Sequence, residues 1–190
     1  MPGKDRGPDV ELAVAAAGLV LPGSVVALPA GRSACGVARH LLGIPRLTVV
    51  TNSLPAAGVL RYEGGGPETA APAVLLTGGT TTRSGTVLGP LAEQAIHSLH
   101  ADVVILGAHG ISADGITAAG PAEARAERAF LASARRAVAL ADTAAWATAG
   151  SDAVATLDEV DVLVVHGALP ARTRSRVARA VRDLLVAGAG

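Results

Sequence analysis

The sequence predicts an α/β fold, a mostly parallel sheet with helices on both faces, and three observations carry that expectation. Short, almost uninterrupted apolar runs alternate with longer segments of helical pattern, which marks strands buried on both sides. Several of those runs end in glycine or small polar residues: Ala30 and Gly31; Thr51, Asn52 and Ser53; Gly78 and Gly79; Gly107, Ala108, His109 and Gly110. The chain has 190 residues, enough for one domain with a complete core and too few for two.

Taken in order, residues 1–9 read as a loose, flexible polar leader, and residues 10–190 as a single domain. Residues 10–20 are alanine-rich and helical, closed by Pro22 and Gly23. Residues 24–28 form a short strand that enters a loop at Pro29, Ala30, Gly31, Arg32 and Ser33, and residues 34–42 return as a helix. A second strand at 47–51 leads into a helix at 53–62. Residues 63–72, rich in glycine and proline, are expected to be an exposed connection. A strand at 74–77 ends in Gly78 and Gly79, a helix follows at 91–100, and a strand at 102–106 ends in Gly107. A long helix at 121–135 starts with Pro121 in its first turn, where proline's missing N–H costs nothing. Strands at 137–141 and 162–165 and a final helix at 172–186 complete the pattern. In a parallel sheet the polar strand ends fall along one edge, which is where a ligand crevice is expected.

Composition narrows the function classes. Half the residues are hydrophobic but only three are aromatic, Tyr62, Phe130 and Trp146, so the core must be built from Ala, Val, Leu and Ile. The net charge is zero, which argues against a nucleic-acid surface on the chain as a whole. Cys35 is a lone cysteine in an apolar setting and fits packing in a reducing cytosol. No secretory signal and no membrane span is apparent, so a cytoplasmic protein is expected. His97 and His100 share one helix face, yet no carboxylate or cysteine is spaced with them, so neither metal nor cofactor is expected.

The strongest single run is Thr48, Val49, Val50, Thr51, Asn52 and Ser53, where a β-branched strand meets three small hydrogen-bonding side chains. Thr51, Asn52 and Ser53 can cap a helix, or with neighbouring N–H groups hold an anion or hydroxyls. Gly78 and Gly79 allow a phosphate to approach the backbone and equally suit a tight turn. Arg83 stands in a run of Thr and Ser that reads as ligand contact or as a solvated loop. His109 and His166 follow strands and are mainly polar strand-end residues. The five arginines of residues 172–182 read as a solvated helix face rather than a nucleic-acid contact.

These residues resemble the C-terminal effector-sensing domain of DeoR-type bacterial transcription regulators. Seven pieces match in order: residues 48–53, 75–79, 89–92, 107–111, 115–117 with Glu123, 140–142, and 158–161 with Leu169 and Pro170. The resemblance implies a Rossmann-like sheet related to ribose-5-phosphate isomerase and the CoA-transferases. It also implies a phosphorylated sugar or related metabolite as small-molecule effector, and a homo-oligomer. The ligand contacts it implies are Gly31, Arg32, Ser33, Thr51, Asn52, Ser53, Gly78, Gly79, Arg83, His109 and Glu123. Family members usually carry about fifty-odd residues of winged-helix DNA reader ahead of this region. Only nine residues precede position 10 here, so no direct DNA binding by this chain alone is expected.

Three charged positions depart from the family pattern. Pro29 stands where the family usually has Asp, Glu127 where it has Lys, and Ala145 where it has a second Lys. Charge-assisted contacts to phosphate are each worth about 1.5–3 kcal/mol, so both losses bear on the ligand. Arg32, Arg83 and Arg125 are the cations placed to compensate. Two other readings stay open: an aldose–ketose phosphate isomerase with Glu123 as base and His109 next, and a ligand-free oligomerisation scaffold. Without an edge strand after the last helix, the sheet is expected to be short by one strand or completed by a partner.

Overall fold

The computed structural model describes residues 7–63, 71–112, 114–146, 148–167 and 171–188. Seven strands make one parallel sheet: β1 (Val25–Leu28), β2 (Thr48–Thr51), β3 (Ala73–Leu76), β6 (Val103–Gly107), β9 (Ala137–Ala141), β11 (Val162–His166) and β12 (Asp183–Ala187). Between them stand the short strands β4 (Thr80–Thr81), β5 (Val87–Leu88), β7 (Gly110–Ser112), β8 (Gly115–Ala118) and β10 (Asp152–Ala155). The large sheet runs in the order β12-β11-β9-β6-β1-β2-β3. The helices are α1 (Gly7–Ala17), α2 (Ala34–Leu41), α3 (Leu54–Tyr62), α4 (Pro90–His97), α5 (Pro121–Ser133), α6 (Thr143–Trp146) and α7 (Ala171–Ala180).

Strand side chains alternate between two cores, as the two-residue period of a strand requires. Val103, Ile105, Val138, Leu140, Val162 and Val164 face one core, with Leu12, Val37, Leu41 and Leu60 from α1, α2 and α3 packed on them. Val104, Leu106, Ala139, Leu163 and Val165 face the other, covered by Ile96, Ala124, Phe130 and Val177 from α4, α5 and α7. Both faces are therefore buried, and this is why the central strands read as continuous apolar runs. Alanine on the facing helices lets these layers approach closely with almost no aromatic filling.

Most expected elements appear within a few residues of their predicted bounds, but the C-terminal segment differs. The final helix stops at Ala180, and Asp183–Ala187 turns back as β12, pairing with β11 from Val162↔Asp183 to His166↔Ala187. The expected helix at 172–186 is thus half wrong, and the missing edge strand is supplied by the chain itself. The arginine-rich part sustains the helix, whereas Leu184, Leu185 and Val186 gain more from covering the backbone of β11. Helix α1 starts at Gly7, before the expected position 10, and residues 1–6 lie outside the described residues. So does most of the expected connection at 63–72.

Two small antiparallel sheets are additions to the predicted plan. β4 and β5 form a hairpin, and β10, β8 and β7 form a three-stranded sheet. Among the described residues no helix is long and apolar enough to cross a membrane.

Candidate functional site

Chain direction places the crevice. From β1 the chain builds outward through β2 to β3, and later from β6 outward through β9 and β11 to β12. β1 and β6 are hydrogen-bonded neighbours, Val26↔Val103 and Ala27↔Val104, so the order reverses between them. Ligands of open parallel sheets bind at such a reversal, beyond the C-terminal strand ends. The loop after β1 and the end of β6 meet there. A Cβ on Gly107 would lie 3.1 Å from Ser33 Oγ, and one on Gly31 would lie 3.8 Å from the Gly107 carbonyl. Ser33 precedes α2 without capping it through its side chain, so its hydroxyl faces the Gly107 backbone.

Thr51, Asn52 and Ser53 stand next to this crevice, but their side chains are committed to the protein. All three are buried, at 0%, 2% and 4% exposure. Thr51 Oγ1 donates to the Leu28 carbonyl at 2.6 Å and accepts the Ser53 N–H at 3.0 Å. Asn52 Oδ1 accepts the Ala30 N–H at 2.7 Å, and its Nδ2 donates to the Val87 carbonyl at 3.1 Å. Ser53 Oγ accepts the Ala56 N–H at 3.2 Å and so caps α3. The triplet therefore fixes the β1 loop, α3 and β5 around the crevice. Buried side chains with these partners position the walls of a site.

Gly78 and Gly79 have φ of 70° and 118°, backbone that side-chain-bearing residues rarely adopt. A Cβ on Gly79 would meet the Leu88 carbonyl at 2.6 Å and Ala92 Cβ at 3.3 Å, so this glycine lets β4 and the start of α4 close together. Gly78 faces open space. Arg83 is exposed at the tip of the β4–β5 hairpin, whose turn is closed by Thr82 N–H to the Thr86 carbonyl at 2.8 Å. The tip docks on α3, with Leu54 N–H donating to the Gly85 carbonyl at 2.9 Å, which sets Arg83 one strand away from the β1–β6 reversal.

His109 is exposed in the turn between β6 and β7, on the sheet edge that carries the crevice. Glu123, half-buried in the first turn of α5, curls back so that its Oε2 would lie 3.1 Å from a Cβ on Gly120. One turn further along, Glu127 is pushed up to about 8, by burial first and by the neighbouring Glu123 charge second. Its Oε2 is buried without a hydrogen-bond partner. Arg125 does not reach the crevice, because its guanidinium is held by Glu93 on α4 at 3.1 Å. Arg32 is the cation that does stand over it, with Nη1 3.7 Å from Asp142 Oδ2 at the end of β9. Asp142, unlike Glu127, carries no ligand role in the sequence pattern and joins the crevice only through its contact with Arg32. Asp142 lay inside a matched piece, and Glu127 was visible as an acid where a lysine was expected.

The structure thus gathers Gly31, Arg32 and Ser33 at the reversal, with Gly107 beneath them and the Thr51, Asn52 and Ser53 clamp at their side. It sets Arg83 apart and puts His109 and Glu123 on neighbouring segments of the same edge. Among the described residues, surface clefts also lie away from this crevice. One of about 580 Å³ is lined by Arg128, Arg135, Glu159 and Asp161 among others, and one of about 520 Å³ runs between α3 and β3. Among the described residues no cluster of three or more His, Cys, Asp or Glu is arranged to hold a metal ion.

Comparison with known proteins fits this geometry. The chain is 28% identical over 173 residues to the uncharacterized HTH-type transcriptional regulator YgbI of Escherichia coli strain K12, covering 90% of this chain and 66% of YgbI. It is 31% identical over 155 residues to the HTH-type transcriptional regulator GolR of Listeria innocua, covering 80% of this chain and 59% of GolR. The chain therefore spans about 59–66% of the length of these curated relatives. Among solved structures, ribose 5-phosphate isomerase from Plasmodium falciparum aligns with a TM-score of 0.50 at 14% identity, over 72% of this chain and 51% of that one, a likeness of fold alone. The family model described as the DeoR C terminal sensor domain matches residues 10–166, and the chain belongs to that family.

Proposed function

We propose that this chain is the effector-sensing part of a DeoR-type transcriptional regulator and binds a small anionic metabolite of phosphorylated-sugar type. The observation that carries the reading is the meeting of the β1 loop and the end of β6 at the chain reversal, under a single guanidinium, Arg32. Guanidinium suits phosphate, the backbone at Gly31 leaves room to bring its N–H to the same anion, and Gly78 faces open space further along the same strand-end edge. Ser33, His109 and Glu123 would contact the hydroxyls of the sugar, with Arg83 reaching in from the hairpin. Thr51, Asn52 and Ser53 would serve the ligand chiefly by holding the walls.

The whole protein would act in the cytoplasm as a homo-oligomer. Leu75 and Leu76 on edge strand β3, and Leu185 and Val186 on edge strand β12, are exposed apolar side chains suited to subunit contact. This chain by itself would not bind DNA.

Thermal shift with a panel of pentose and hexose phosphates tests the reading, because a ligand that binds only the folded state raises Tm by mass action. A rise with at least one sugar phosphate, lost in Arg32→Gln, is the expected result. No rise with any of them at millimolar concentration would overturn it.

A further inference from the structure

We infer that Asp142 is a built-in competitor for the effector's anion, holding Arg32 over the crevice when the site is empty and weakening anion binding by doing so. The inference rests on the reading above that Arg32 meets an anionic ligand. It assigns a specificity role to a residue that touches Arg32 from the opposite side.

β6 lies between β1 and β9 in the sheet. Arg32 is in the loop after β1 and Asp142 directly follows β9, so their contact spans the end of β6, across the crevice mouth. The contact is loose. The atoms are 3.7 Å apart and the Arg32 side chain is 56% exposed, so the pair is an electrostatic attraction that contributes little to stability and is easily exchanged.

Asp142 is much better anchored than its partner. Its other oxygen, Oδ1, accepts the Ala145 N–H at 2.7 Å at the start of α6, and its side chain is only 23% exposed. When a phosphate arrives, Arg32 is therefore the group that swings, and the Asp142 carboxylate stays. The anion must replace a resident carboxylate on the guanidinium and then sit near an uncompensated negative charge. Both effects lower its affinity. Ala145, three residues on, is buried and carries no charge that could neutralise Asp142.

Removing the charge while keeping the helix contact isolates the effect. Asp142→Asn retains an oxygen for the Ala145 N–H, and Asp142→Ser does so with a shorter group. Calorimetric titration with inorganic phosphate and with ribose 5-phosphate compares the wild type, both Asp142 variants, Arg32→Gln, and the double variant Arg32→Gln with Asp142→Asn. The expected result is that either Asp142 variant binds both probes about tenfold more tightly, and that the double variant gains markedly less over Arg32→Gln than Asp142→Asn gains over the wild type. If either variant fails to fold, as read by thermal melting, the other carries the test.

Unchanged or weaker binding in the Asp142 variants, with Arg32→Gln still losing affinity, would overturn the competitor role and leave the sensor reading in place. A gain just as large in the double variant would also overturn it, since Asp142 would then act without Arg32. Failure of the wild type and of every Asp142 variant to bind either probe would sink both readings.

Discussion

At the scale of single residues, the strongest departure from ordinary chemistry is Glu127. Its carboxyl titrates near 8 in the folded chain against about 4.5 for a free one, because burial disfavours the charge and Glu123 repels it. Between those two values the folded chain holds a proton that the unfolded chain has released. Stability must therefore fall as pH rises from about 4.5 to about 8, and level off above. The full difference across that window is on the order of 5 kcal/mol. Glu127→Gln cannot ionise, so urea unfolding at pH 5, 6.5 and 8 is expected to show a flat profile where the wild type declines, and a more stable variant at pH 8. Parallel profiles would show that the carboxyl is relieved by solvent or a neighbour. The residue was legible in the sequence as an acid in place of a lysine. Its neutral state was not legible, because burial on α5 is decided by packing partners far along the chain.

At the scale of elements, strands covered on both faces were easy to read and short strands were not. Val103 to Leu106 and Val162 to Val165 are continuous apolar runs, since each side chain has a core to enter. The two-residue strands β4 and β5 carry no such signal, and β12 was hidden behind a helical arginine pattern that runs into it. The candidate site was legible as a row of polar strand ends, but the work each residue performs was not. Asn52 shows why. Its partners Ala30 and Val87 are 22 and 35 positions away in sequence, so only the fold reveals that one amide joins the β1 loop to β5. Asn52→Ala is expected to lose both hydrogen bonds and strand a part-buried N–H at Ala30 and a buried carbonyl at Val87, costing about 2–4 kcal/mol in urea unfolding. If Asn52 only positions the walls, sugar-phosphate affinity should fall with it although no ligand contact is removed. Full stability with lost affinity would instead mark Asn52 as a direct ligand residue.

At the scale of the whole molecule, a parallel sheet sends every strand end that carries site residues to one edge, and that edge is also tied to the N-terminal helix. His166 closes β11 with its Nε2 3.2 Å from Glu11 Oε2 on α1, so α1 and the ligand edge meet at this pair of side chains. Charge, by contrast, is spread without a dominant sign: the 16 basic residues are matched by 16 acidic ones. The one basic element, α7, follows the same rule, since Arg176 lies 3.7 Å from Asp114 and the following Arg182 lies 3.3 Å from Asp161. Among the described side chains of that helix, Arg174 and Arg179 are left as exposed cations, fewer than the phosphate contacts whose counterion release drives DNA affinity. A duplex of about 25 base pairs at about 150 mM salt is therefore expected to migrate unretarded with this chain, with or without sugar phosphate. Retardation that depends on duplex sequence and vanishes in Arg174→Glu with Arg179→Glu would make α7 a DNA-contacting helix. Retardation that merely fades as salt rises would reflect the loose attraction of any exposed arginine for phosphate, and would leave DNA recognition outside this chain.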